Sequence, residues 1–173
     1  MPDQNQEQEG KQRGATRTIV GAWLIAGTLD ITAASIYYPI RYDLSLEVLY
    51  QNIASGVFGA RAFAGGTLMS ALGLAFHYII ALIWTVIFYA AYPRIGILQK
   101  NRFAAGMAYG ILVWAVMNLV VLPLSNVNRS PLQFIPSLIA ALILMFCIGL
   151  PLSMIIGKHY SLRGQLPSHA HQL

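Results

Sequence analysis

The chain has 173 residues, of which 57% are apolar and only 10% charged, with a net charge of +5 from 11 Lys and Arg against 6 Asp and Glu. Soluble domains carry roughly a quarter charged residues, so most of this surface is expected to face hydrocarbon rather than water. The basic residues lie between apolar runs rather than in one block, which argues against a nucleic-acid partner. The one cysteine, Cys147, rules out an intramolecular disulfide and a Cys-rich metal site.

Residues 1–16 are rich in Gln, Glu, Lys, Arg and Gly, cannot bury a core, and read as a disordered cytoplasmic tail. Residues 17–158 read as one membrane domain with spans at about 18–38, 68–92, 103–124 and 134–156, and residues 159–173 as a second cytoplasmic tail. The first run has the roughly 20 residues a helix needs to cross the hydrocarbon layer. Its length and the presence of Asp30 distinguish it from a signal peptide. Pro39, Pro93 and Pro123 are expected to end spans, Pro136 to sit in a first helical turn, and Pro151 to kink the fourth span near Ile148.

Orientation follows from the basic residues. Lys11, Arg13, Arg17, Arg94, Lys100, Arg102, Lys158 and Arg163 belong to the tails and the second connection, whereas only Arg41, Arg61 and Arg129 belong to the first and third connections. Both termini are therefore expected in the cytoplasm, with a multi-pass protein of the bacterial inner membrane as the setting. The expected fold class is all-α: an antiparallel four-transmembrane-helix bundle with an interfacial amphipathic helix at about 44–64. In that segment Leu46, Leu49, Ile53, Val57 and Ala60 recur at helical spacing opposite Glu47, Gln51, Asn52 and Ser55. Asp43 and Ser45 are its expected caps and Gly65-Gly66 its end. A float on the outer interface is expected over a lid on the bundle.

Helices in lipid associate through small residues and hydrogen bonds, because burying apolar area against apolar lipid gains nothing. Four stripes at i, i+4 spacing are expected to meet at the bundle axis: Ala22, Ala26, Asp30 and Ala34; Gly73, His77, Ala81 and Thr85; Gly106, Gly110, Trp114 and Asn118; and Ala141, Met145, Gly149 and Ser153. Gly106 and Gly110 form a G-x-x-x-G step, which would supply a homodimer contact if it pointed outward. From the rise per residue, Asp30, His77 and Asn118 lie about 12, 13 and 8 Å below the outer ends of their spans, so a shared site is allowed. An ionised Asp at that depth costs roughly 3 kcal/mol, which calls for protonation or pairing, with His77 or Arg61 as the neighbour.

The expected function is that of a structural or accessory membrane component in which these polar groups only bind helices together. The alternative is a proton-linked transport or acid-stress protein using a buried Asp/His pair. No nucleophile triad, phosphate loop, metal-ligand set or cofactor motif is present, so no enzyme activity, metal or cofactor is expected. His169 and His171 make only a short H-x-H pair near the end of the chain. The lipid bilayer is the expected surrounding, with a homodimer or another membrane protein left open as partner.

The stretch Ile53-Ala54-Ser55-Gly56-Val57-Phe58-Gly59, followed by Arg61 to Gly66, Ala71-Leu72-Gly73 and His77, resembles a recurring signature of bacterial four-helix inner-membrane proteins without an established activity. Tyr109-Gly110, Met117-Asn118, Val121 to Ser125 and Gly149-Leu150-Pro151 are similar to the later spans of that group. The resemblance covers roughly residues 20 to 158. A more distant one, in span number, loop pattern and the Tyr92-Pro93 exit, is to YagU-like inner-membrane proteins, and it implies a link to acid resistance.

Overall fold

A computed structural model describes residues 2–128 and 133–164, and every regular element in them is helical. α1 is Pro2–Tyr42. α2 is Leu46–Phe58, continued by a 3₁₀ turn at Gly59–Ala64. α3 is Gly66–Ala91 and α4 is the short Gly96–Lys100. α5 is Arg102–Val116 and α6 is Leu122–Leu124, joined by a π-helical turn at Met117–Val121. α7 is Phe134–Leu144 and α8 is Leu150–Gly164, joined by a second π-helical turn at Met145–Gly149. Gln8–Tyr42, Gly66–Ala91, Arg102–Leu124 and Phe134–Leu162 are each long and apolar enough to cross a membrane.

The beginning of the chain differs from expectation. Residues 2–16, read as a disordered tail, continue α1 as helix. They cannot bury a core, but a helix extending one already formed needs no core and bears no nucleation cost, and Gln, Glu, Lys and Arg favour helix. At the other end α8 continues through residues 159–164. Arg129, His169 and His171 lie outside the described residues.

One proline acts differently: Pro39 lies inside α1 and does not end it, whereas α3 ends just before Pro93, α6 ends one residue after Pro123 and Pro136 lies in the first turn of α7. Pro123 and Pro151 each follow a π turn. A proline has no N–H for the carbonyl four residues back, and its ring crowds that carbonyl; a wider turn just before it relieves the conflict without breaking the helix. Ile148, where a kink is expected, falls in the second of these turns.

α1 packs against α3 and α8, and α5 packs against α7, α8 and the π turn between them. Glycines let α5 and the fourth long helix approach closely. A Cβ on Gly106 would come within 2.9 Å of the Gly149 carbonyl oxygen, and one on Gly110 within 2.3 Å of the Met145 Cα. The G-x-x-x-G face of α5 therefore points inward onto the fourth long helix, and it offers no homodimer contact. Beside this seam lies a core of Ala22, Ala26, Phe88, Tyr109, Leu152 and Ile156. Phe88 and Tyr109 rings meet at 4.6 Å, and Tyr109 Oη donates to the Trp84 carbonyl at 2.6 Å, which ties α3 to α5.

α2 is not a float. It starts at Ser45, whose Oγ accepts from Val48 N, and ends at Gly59 with φ 59°. It packs along α3 so closely that a Cβ on Gly73 would meet the Tyr50 carbonyl oxygen at 1.9 Å. The side it buries includes polar Gln51 and Ser55, whereas Leu46 and Val57 are exposed. Gln51 Nε2 donates to the Gly66 carbonyl, and Ser70 Oγ on α3 donates to the Glu47 carbonyl, each at 3.2 Å. The expected split into an apolar and a polar side is therefore not kept: Leu49 and Ala54 are buried together with Gln51 and Ser55, while Glu47 and Asn52 are exposed together with Leu46 and Val57. Gly73→Ala is expected to lift α2 from α3 and to speed amide exchange across Leu46–Phe58 by roughly tenfold, about 1.4 kcal/mol of lost protection. Unchanged exchange would mean that other contacts hold α2.

Candidate functional site

Beneath α2, between α3, α5 and the fourth long helix, lies a cavity of about 440 Å³. Asn52, Ile53 and Gly56 of α2 roof it, together with Ser125 and Val127 from the segment after α6. That segment is fastened to α2 by Asn126, whose backbone N–H donates to the Gly56 carbonyl at 3.0 Å and whose Nδ2 donates to the Val57 carbonyl at 3.1 Å. Phe76, Trp84, Val113, Leu144 and Ile148 form apolar walls, and Asp30 and His77 also border the space.

The two ionisable groups approach each other because α1 and α3 come very close at Gly27. A Cβ there would press on the Tyr78 ring at 3.2 Å and on the Ala81 methyl at 3.3 Å. The same region is pinned by Trp23 Nε1, which donates to the Tyr78 carbonyl at 2.7 Å, and by a Thr28–Tyr78 hydroxyl bond at 3.0 Å. His77 Nε2 lies 2.9 Å from the Gly27 carbonyl oxygen, and its Nδ1 lies 3.9 Å from Asp30 Oδ2. Both side chains are largely buried.

Protonation is constrained by this arrangement. A carbonyl only accepts, so His77 Nε2 carries a hydrogen and donates it to Gly27. In the neutral imidazole the remaining nitrogen, Nδ1, is then a bare lone pair facing a carboxyl group. Two lone pairs facing each other repel, so a proton on either partner, as a neutral acid on Asp30 or an imidazolium on His77, would be favoured by the other group across the 3.9 Å gap, which is longer than a hydrogen bond.

The other expected site residues lie elsewhere. Asn118 Nδ2 donates to the Trp114 carbonyl in its own helix at 2.9 Å, and Asn118 is not among the residues lining the cavity. Arg61 is exposed on the 3₁₀ turn and does not line it either. Gly106, Gly110 and Gly149 serve helix contact, and Gly73 seats α2. Asp30 and His77 come together, whereas Asn118 and Arg61 do not line the cavity beside them.

His159 belongs to a polar cluster that the sequence reading missed. Its Nδ1 is 2.9 Å from Thr18 Oγ1, and its Nε2 is 3.2 Å from Tyr89 Oη. Thr18 Oγ1 also lies 2.9 Å from the Gly14 carbonyl and donates there, so it accepts from His159 Nδ1–H. Both ring nitrogens thus have a hydroxyl partner, and the ring ties α1, α3 and α8 together. The signal available was the run Lys158–Leu162, which contains no helix breaker and carries the last long helix past its expected end.

No family model matches the chain, nor does any curated protein or solved structure, so the reading of this site rests on its own residues.

Proposed function

We propose that the chain is a four-span protein of the bacterial cytoplasmic membrane, with both termini inside, in which Asp30 and His77 hold one exchangeable proton beside a cavity in the outer half of the bilayer. The observation that carries this reading is the bare Nδ1 of His77 turned toward the Asp30 carboxyl group at 3.9 Å. A buried ionisable pair in a membrane span is costly, and such pairs mark proton relays and solute paths. The outward Leu24, Ile25, Leu29, Ile79 and Ile83 favour lipid around the four helices, and the basic residues favour the orientation.

The accessory-subunit reading has the small-residue stripes as its support. Those stripes serve contacts among this chain's own helices, which argues for a self-sufficient unit. Interhelical adhesion accounts for the glycines, and it gives no reason for a carboxyl group and an imidazole to share a proton beside an open cavity. An acid-stress role follows naturally from a proton-accepting site in the outer leaflet.

The test is internal pH after an acid shift, in cells lacking the protein and complemented with the unaltered chain, Asp30→Asn or His77→Ala, with membrane levels measured for each. The expected result is normal accumulation of both variants and loss of the slowed acidification that the unaltered chain confers. Equal protection by the two variants would remove the proton-linked reading.

A further inference from the structure

We propose that the cavity binds an amphipathic organic monocation taken from the outer leaflet, and that binding expels the proton held by Asp30 and His77. The inference rests on the proton-sharing reading above and adds the chemical class of the ligand.

Size comes first. A cavity of about 440 Å³ lies within the range of about 300–1,000 Å³ typical of small-molecule sites, which combine apolar walls with a few polar groups. Here the walls are Phe76, Ile80, Trp84, Val113, Leu144 and Ile148, and the polar group that distinguishes one ligand from another is the Asp30–His77 pair.

Charge then narrows the class. Among the described residues no Lys or Arg lines the cavity, so the one basic group an anion could meet there is His77, which already stands beside a carboxyl group. Asp30 faces His77 from α3, and Tyr38 on its own helix and Cys147 on the π turn of the fourth long helix lie within its electrostatic reach. α5 contributes Val113 and the turn after it Met117, neither ionisable, and α2 contributes Asn52. Glu47, the carboxylate of α2, is exposed and accepts from Gln51 Nε2 at 3.2 Å. Asp30 is therefore the one carboxyl group lining the cavity among the described residues. A cation beside it replaces the proton as counter-charge, and an imidazolium would repel that cation. One monocation enters, one proton leaves, and the charge of the site is unchanged. Aromatic Phe76 and Trp84 suit a cation with apolar substituents.

Access is the third argument. Ile79 and Val121 line the cavity from α3 and from the π turn after α5, yet are 52% and 37% exposed. They form an outward apolar rim, while α2 closes the end above. A ligand that partitions into lipid reaches the pair past that rim without first crossing water.

The experiment uses the full chain in discs of zwitterionic lipid, with tetraphenylphosphonium as the probe. Calorimetry measures binding, and a pH indicator in weak buffer measures protons released. Saturable binding with about one proton released per cation is expected, and Asp30→Asn should weaken it by at least roughly tenfold, about 1.4 kcal/mol, while helix content and melting stay unchanged. Ile80→Trp, which fills the cavity and leaves the pair intact, should also abolish binding. Absence of saturable binding, binding without proton release, or equal binding of neutral triphenylphosphine oxide would overturn the proposal. The last would identify a pocket for uncharged lipid-like molecules. The His77 imidazole resonances, followed against pH in the unaltered chain and in Asp30→Asn, test proton sharing alone. If they respond to pH and to the substitution while the cation fails to bind, the ligand assignment falls and the shared proton stands. If they respond to neither, both fall.

Discussion

Asp30→Asn is expected to abolish proton exchange at the cavity while leaving the protein as stable as the unaltered chain, or more stable. The substitution keeps the shape of the side chain, and its amide N–H can face the His77 Nδ1 lone pair, which lies 3.9 Å from Asp30 Oδ2. That contact reproduces the neutral, proton-loaded arrangement of the pair but cannot release the proton, since an amide does not ionise in the accessible range. The activity therefore stops in its loaded state. Stability moves the other way, because the variant removes the option of a carboxylate at a depth where ionisation costs roughly 3 kcal/mol. Proton flux into liposomes carrying a pH-sensitive dye should drop to the level of protein-free liposomes, and the unfolding free energy in a denaturing detergent should be equal or higher. This opposition separates a working site from helix adhesion: if Asp30 only held α1 to α3, the substitution would leave flux untouched or lower flux and stability together.

The second large effect is structural. Gly149→Ala places a Cβ 2.0 Å from the Gly106 carbonyl oxygen and 2.7 Å from the Gly110 nitrogen. Both are backbone atoms, which cannot swing aside as a flexible side chain would, so α5 and the fourth long helix must separate. Separation forfeits the close dispersion contacts that hold helices together where no hydrophobic drive operates. A loss of about 3 kcal/mol is expected in detergent unfolding, at the upper end of overpacking costs. Gly21→Ala is the control: a Cβ there meets nothing within 4 Å, so only the helix preference of Ala acts, worth roughly 0.5–1 kcal/mol in the stabilising direction. If the two variants melt alike, the glycine contact is not what holds these helices.

Much of the fold was legible because each signal was local. Apolar runs of spanning length announced four long helices, since the side-chain requirement of a bilayer is met residue by residue. Ser45 and Gly65-Gly66 marked the limits of the connecting segment through turn and cap chemistry. Asp30 and His77 stood out because ionisable residues inside apolar runs are rare, and their matched depth followed from rise per residue alone. Asn118 satisfied the same two criteria, yet its amide turns back on the Trp114 carbonyl of its own helix. Depth is a coordinate along the helix, whereas meeting also requires the right rotation about the axis, which depends on how helices pack.

The same distinction explains the remaining differences. Composition and spacing along the chain were sufficient for the helical class, the number of long apolar segments and the identity of the unusual polar residues, because these depend on each residue's own preference for lipid, water or helix. Contacts between segments decided the rest: that Gly106 and Gly110 face Gly149 rather than another copy, that α2 buries Gln51 and Ser55 and roofs a cavity, and that His77 rather than Arg61 borders Asp30. In a helix facing lipid, apolar periodicity marks no unique inward side, because Leu and Ile are at home on either. The inward side is set by which backbones can approach and which donors then find acceptors, and those are properties of pairs of helices.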